Sequence, residues 1–299
     1  MNYKFFTCDV FTRKRFGGNQ LAVIPQAEGL TTRRMQQIAR EFNFSETTFV
    51  LPAEKGHTRK VRIFTPAREI PFAGHPNIGT AFVLAGSPEN EDIHAGMTVV
   101  FEERAGLVPV TIDKKAGGRL WCELEAPERL SLGEIVMPEV AAAALSLETE
   151  EIELNVHPPR SAGVGFPFLI VELRSMEALK KARFNTLAME QLAEEGVPPD
   201  VLLYVRSSGK VDIRARMFAP FEGVPEDPAT GSANCALAAL LSHYDPKKNG
   251  KFRWRIAQGI EMGRPSMLVA RTEKKDGEIV ATRIGGDCVM VSEGTITVD

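Results

Sequence analysis

Residues 61–84 read VRIFTPAREIPFAGHPNIGTAFVL, and residues 213–240 read IRARMFAPFEGVPEDPATGSANCALAAL. Each is a strand-like run carrying Arg-x-Phe-x-Pro (Arg62, Phe64 and Pro66, then Arg216, Phe218 and Pro220), a short loop with proline, a glycine (Gly74, Gly231) and an apolar, alanine-containing stretch suited to a buried helix. Self-similarity at this scale implies two copies of one domain. It also implies two matching helix starts, able to face each other across a cleft.

The surrounding sequence extends the repeat. Before the first copy come strands over 3–11, 21–25 and 47–52 and a helix over 30–42, capped by Thr31 or Thr32, with Leu30, Met35, Ile38, Ala39 and Phe42 on one face. GHTR at 56–59 makes a hairpin turn into strand 59–66. Helix 75–86 follows, then strands within 97–125. The second half offers strand 163–173, helices around 175–182 and 186–195, strands 201–207 and 210–220, helix 232–243, and strands from Phe252 onward. The prolines at 127, 138, 158 and 159 mark 126–160 as the linker. One buried helix per half among many strands predicts an α/β (α+β) fold in which a sheet wraps a central helix, twice over, and not a doubly wound parallel sheet.

Composition narrows the function. At 299 residues the chain has room for two domains of about 150 each. With 43% hydrophobic residues, a net charge of -3 and no long basic block, it reads as a globular protein with no nucleic acid partner. No run of 18 apolar residues and no signal-like N-terminal stretch is present, so no membrane partner and a cytoplasmic location are expected. Cys8, Cys122, Cys235 and Cys288 lie far apart in sequence and form no C-x-x-C, which favours reduced, mostly buried thiols. The five histidines lack metal-ligand spacing, and no glycine-rich nucleotide motif opens a helix, so neither metal nor cofactor is expected.

Helix starts carry unpaired N–H groups and the positive end of a dipole, and so hold carboxylates. A glycine before one helix is more often a plain turn. Two equivalent starts dressed with His75 on one side and Asp227, Thr230 and Ser232 on the other favour function. Glu46, between a helix end and an apolar strand, suits a general base or acid, with a rim carboxylate as the bland alternative. His75 reads equally as a structural histidine, and Asp227 as a residue that shapes the turn before Pro228.

GGNQLAV (17–23), SETTFV (45–50), RIFTP (62–66), FAGHPNIGTA (72–81), EDPATGSA (226–233) and QGIEMGRPS (258–266), in that order, resemble the PhzF family over nearly the whole chain. The resemblance implies two pseudo-symmetric domains similar to diaminopimelate epimerase, residues 1–125 with about 285–299 and residues 126–284, and an active site in the cleft between them. It implies cofactor-independent proton transfer on a small carboxylate, with Glu46 as the essential carboxylate and His75 and Asp227 as its catalytic partners. Asn19, Gly74, Gly231 and Ser232 become substrate contacts, and a homodimer is implied. The epimerase relatives use a thiol at each helix start. Here Gly74-His75 and Gly231-Ser232 stand there, which points to one base and not two thiols. Two alternatives stay open: a serine-type hydrolase using Ser232, His75 and Asp227, and a non-catalytic metabolite-binding protein.

Overall fold

The computed structural model describes residues 1–87 and 90–299. The chain divides into two compact units, Met1–Pro127 with Gly285–Asp299, and Glu128–Ile284.

In the first unit the elements are β1 (Asn2–Val10), β2 (Asn19–Ile24), α1 (Thr32–Phe42), β3 (Glu46–Leu51), β4 (Arg59–Phe64), β5 (Glu69–Ile70), α2 (Gly74–Gly86), β6 (Met97–Glu103), β7 (Gly106–Lys114) and β8 (Leu120–Glu125). In the second they are β9 (Ser131–Ile135), α3 (Pro138–Ala144), β10 (Arg160–Gly163), β11 (Pro167–Glu172), α4 (Met176–Lys181), α5 (Thr186–Glu194), β12 (Val201–Arg206), β13 (Ile213–Ala219), β14 (Val224–Asp227), α6 (Gly231–Tyr244), β15 (Gly250–Gln258) and β16 (Ser266–Lys275). The last strand, β17 (Glu278–Thr297), begins in the second unit and ends in the first.

The two units share one wiring. In the first, β2 and β3 are parallel, with Leu21 opposite Glu46 and α1 as the crossover. In the second, β11 and β12 are parallel, with Leu169 opposite Val201 and α4 and α5 in the crossover. A further parallel pair follows in each: β4 with β6, Arg59 opposite Phe101, and β13 with β15, Ile213 opposite Ile256. In the first unit β17 pairs with both β1 and β8, which closes the sheet on itself.

The sheets wrap one helix each. α2 packs on β1, β2, β3, β7 and β8, and α6 on β10, β11, β12, β15 and β16. Both helices are apolar on every side, as a helix enclosed by a sheet must be. Ala81, Val83 and Leu84 of α2 and Leu237, Ala238 and Leu240 of α6 are buried. α1 behaves differently, burying only Met35, Ile38 and Ala39 against Ile24, Phe49 and Phe64. Its N-cap is Thr31, whose side chain accepts from the Arg34 N–H, and Asn43 ends it in the left-handed region.

The repeated Arg-x-Phe-x-Pro has a physical role in both units. Arg62 Nε and Nη2 donate to the two oxygens of Glu69, and Arg216 Nε and Nη2 donate to the two oxygens of Glu226. The guanidinium of Arg62 lies over the Phe64 ring, and that of Arg216 over Phe218. A bidentate pair stacked on an aromatic ring is a rigid clamp. It ties the strand to the short strand (β5 or β14) that feeds the buried helix.

The region expected to be linker is ordered in part. It holds β9, which pairs with β10, and α3, whose Ala141, Ala142 and Ala144 are buried in the second unit's core with Leu169, Val171 and Leu203. Pro138 sits at the first turn of α3, where its missing N–H leaves no bond unmade, so a proline read as a breaker is a helix start. The thiols also regroup: Cys8, Cys122 and Cys288, distant in sequence, lie close enough to raise one another's pKa, although burial is the larger cause.

Gly259 closes the loop that carries Asp227. It has φ +73, and a Cβ there would lie 2.5 Å from the Arg264 carbonyl oxygen and 2.6 Å from that of Pro228. Gly263 has the same φ with open space around it. Gly263→Ala is therefore expected to lose about 1 kcal/mol, the backbone term alone, and Gly259→Ala well over about 2 kcal/mol, since backbone atoms must also move. Urea denaturation of the two variants beside wild type measures the difference.

Candidate active site

The first unit gathers Asn19, Glu46 and His75 from three elements. Asn19 opens β2, Glu46 opens β3 and His75 is the second residue of α2. The turn before Asn19 is pinned by Asp9, whose carboxylate accepts from the Phe16 N–H at 2.7 Å. The parallel register of β2 and β3 then sets Glu46 beside Leu21, two residues along from Asn19.

His75 is 4% exposed, and its Nε2 lies 3.3 Å from Glu46 Oε2. Its Nδ1 lies 3.2 Å from Asn19 Nδ2, and Ser45 Oγ donates to Asn19 Oδ1 at 3.4 Å. Burial pushes the imidazole down to about 3, and a hydrogen bond with the Gln20 backbone pulls weakly the other way. The start of a helix also disfavours a positive charge. The ring is therefore neutral and carries one N–H. The Nε2 edge of the ring faces the Glu46 carboxylate, and its Nδ1 edge faces the Asn19 amide.

The starts of α2 and α6, like that of α3, lack the side-chain cap that the three other α-helices carry. Thr31, Ser175 and Asn185 cap α1, α4 and α5 with side-chain hydrogen bonds. Ala73 before α2 and Thr230 before α6 make no side-chain cap bond. Gly74 and Gly231 are the first residues of these helices, and both are buried. The N–H groups of these first turns are thus left for another acceptor.

In the second unit Asp227 ends β14, is 9% exposed, and accepts a hydrogen bond from the Thr230 hydroxyl. Ser232 is the second residue of α6, the place His75 holds in α2, and is partly exposed. Gln258, at the end of β15, braces the loop: its Nε2 donates to the Asp227 carbonyl at 2.8 Å and to Thr230 Oγ1 at 3.1 Å, and its Oε1 accepts from Asn234 Nδ2 at 2.7 Å.

Asn77, Asn234 and Gln258 escape a reading of the sequence for catalysts. Asn77 Nδ2 donates to the Ala73 carbonyl at 2.9 Å, and Asn234 Nδ2 to the Thr230 carbonyl at 2.8 Å. Both asparagines stand three residues after the helix-opening glycine, GHPN and GSAN, so the doubled phrase itself carried the signal. Gln258 lies 27 residues past Gly231 and had none. Among the described residues no group of three or more His, Cys, Asp or Glu is placed to hold a metal ion, and no helix is long and apolar enough to cross a membrane.

This arrangement has known relatives. The family model for phenazine biosynthesis-like proteins, PhzC-PhzF, matches residues 8–294. An uncharacterized isomerase of Mesorhizobium japonicum is 37% identical, with 99% of this chain and 98% of that protein covered. The trans-2,3-dihydro-3-hydroxyanthranilate isomerase of Pseudomonas aeruginosa is 33% identical, with 98% of each covered. A phenazine biosynthesis protein of Bacillus anthracis, of the PhzF family, shares the fold with a TM-score of 0.89 at 23% identity, covering 100% of both chains. Matched end to end by relatives named as isomerases, the chain belongs to the PhzC-PhzF family of phenazine biosynthesis-like proteins.

Proposed function

We propose that this protein is a cofactor-independent isomerase that moves a proton on a small carboxylic acid, with Glu46 as the group that takes and returns it. The observation that carries the reading is the contact between Glu46 and a buried, neutral His75 at an uncapped helix start. A charged imidazole at 3.3 Å would hold the carboxylate in an ion pair and weaken it as a base. A neutral ring at that distance forms no ion pair and leaves the carboxylate able to take a proton.

The substrate's carboxylate rests on N–H groups of the uncapped first turns, which also stabilise the negative charge that builds as a C–H proton leaves. Glu46 takes that proton and, held by His75 and Asn19, delivers it to another carbon of the same molecule. His75 and Asp227 bind the substrate's polar group, and Asn19, Gly74, Gly231 and Ser232 complete its contacts. A single base suits a shift along one substrate better than a racemisation, which needs a group on each face. The Pseudomonas aeruginosa relative's name makes trans-2,3-dihydro-3-hydroxyanthranilate the first candidate substrate. The hydrolase alternative requires His75 to serve Ser232 as base, whereas the ring is engaged by Glu46 and Asn19.

Glu46→Gln is expected to lower proton transfer by at least about 10²–10⁴-fold while leaving the thermal melt and circular dichroism unchanged. The measurement is deuterium uptake from D₂O, by NMR, over that candidate and a panel of small carboxylic acids. Uptake at the wild-type rate in the variant would sink the assignment.

His75 yields a separate expectation. A histidine depressed in the folded state is matched by an unfolded chain that takes up the proton first. Its contribution to stability is therefore full above about 6.5 and declines as pH falls toward about 3. The ¹⁵N signals of the His75 ring should stay those of a neutral imidazole at pH 5, and the rate profile should show no limb from this ring near 6.5. A ring that titrates in the ordinary histidine range contradicts the neutral-partner mechanism.

A further inference from the structure

The reaction proposed above makes no use of Glu103, although this carboxyl is enclosed in the first unit. It ends β6, and both of its oxygens are buried without a hydrogen bond of normal geometry among the described residues. The side chain that acts on it is Asn77, two residues after His75 in the first turn of α2. Asn77 in turn donates to the carbonyl of Ala73, the residue before the helix start.

The second unit places an amide at the corresponding point of its own frame. Register equates Arg59 with Ile213 and Phe101 with Ile256, so Glu103 at the end of β6 takes the place of Gln258 at the end of β15. Asn77 takes the place of Asn234, and Ala73 that of Thr230. Gln258 Oε1 accepts from Asn234 and from the Thr230 N–H at 3.3 Å, and Gln258 anchors the start of α6. Protonated glutamic acid and glutamine have nearly the same shape.

We propose that Glu103 is the positioning residue of the first unit, holding through Asn77 the helix start that carries His75, as Gln258 does through Asn234 for the start that carries Ser232. The carboxyl performs this as a neutral acid. Its surroundings supply no cation: Lys60 is paired with Glu54, and Arg62 and Arg104 with Glu69. Its chain neighbour Glu102 faces the other way and accepts from the backbone N–H groups of Glu54, Lys55 and His57. On β7 the residue opposite is Gly106. Burial therefore dominates and raises the Glu103 carboxyl well above the ordinary range, with the Asn77 amide opposing weakly.

The role of His75 in the proposed reaction gives this residue its importance, but the test needs no substrate and so fails or succeeds independently. A carboxyl raised in the folded state contributes stability that is full below its ordinary value and lost as pH rises toward its folded value. E103Q cannot ionise and escapes that loss. Its melting temperature should gain on wild type by about 3 °C per pH unit as pH rises above about 5. A gap that stays constant with pH would overturn the neutral-acid role. In the same samples, the His75 ring ¹⁵N shifts at pH 7 should coincide in wild type and E103Q and move in E103L. His75 signals that remain in place in folded E103L would overturn the positioning role. If E103L does not fold, coincidence of the E103Q and wild-type ring signals still supports the role, and their divergence refutes it.

Discussion

A helix surrounded by its own sheet has nowhere to place the N–H groups of its first turn except on its own loop or on a ligand. α2 and α6 are enclosed in this way, and the residues before them provide no side-chain cap. The rest of each unit is arranged around that constraint. The Arg62–Glu69 and Arg216–Glu226 clamps fix the strand that leads to the start, and Asn77 and Asn234 satisfy the carbonyl at the start from inside the helix. Neither start spends a capping side chain on its own N–H groups, and oriented backbone donors at a helix start are the chemical basis of carboxylate recognition.

The duplication holds for the parallel strand pairs and the clamp, and it breaks down at the ionisable groups. The register that sets Glu46 opposite Leu21 sets Val201 opposite Leu169. His75 is matched by Ser232, and Ile70 by Asp227, since Ile63 pairs with Ile70 and Met217 with Asp227. Every exchange alters a proton-bearing group and leaves the main chain as it was. Such a pattern arises when one frame is kept for binding and its contents are altered for asymmetric chemistry.

Much of this was legible in the sequence because the informative signals are local. The Arg-x-Phe-x-Pro phrase, the apolar helices without a polar face and the Thr31 cap are all written within a few residues of the structure they specify. The sheet-wrapped helix followed from them. Three features stayed hidden for one reason: each depends on residues distant in sequence. α3 was masked by Pro138, whose meaning changes once the alanines behind it have a core to enter. The company of Cys8, Cys122 and Cys288 is set by strand pairing. The correspondence of Glu103 with Gln258 is visible only through the parallel pairs β4–β6 and β13–β15, which no spacing rule announces. At the candidate site, Glu46 and His75 could be singled out separately, but the 3.3 Å between them is a product of register and not of motif.

The two units also divide the electrostatic burden. Burying an ionisable group is tolerable when it is neutral or paired. The first unit holds a histidine at the start of α2 and a carboxyl at the end of β6, and burial disfavours the charged form of each. The second unit holds Ser232 and Gln258 at the corresponding positions, neither of which changes charge near neutral pH. The ionisable groups on which the proposed reaction calls most heavily, Glu46 and His75, therefore lie together in the first unit, where burial decides the charge of the ring.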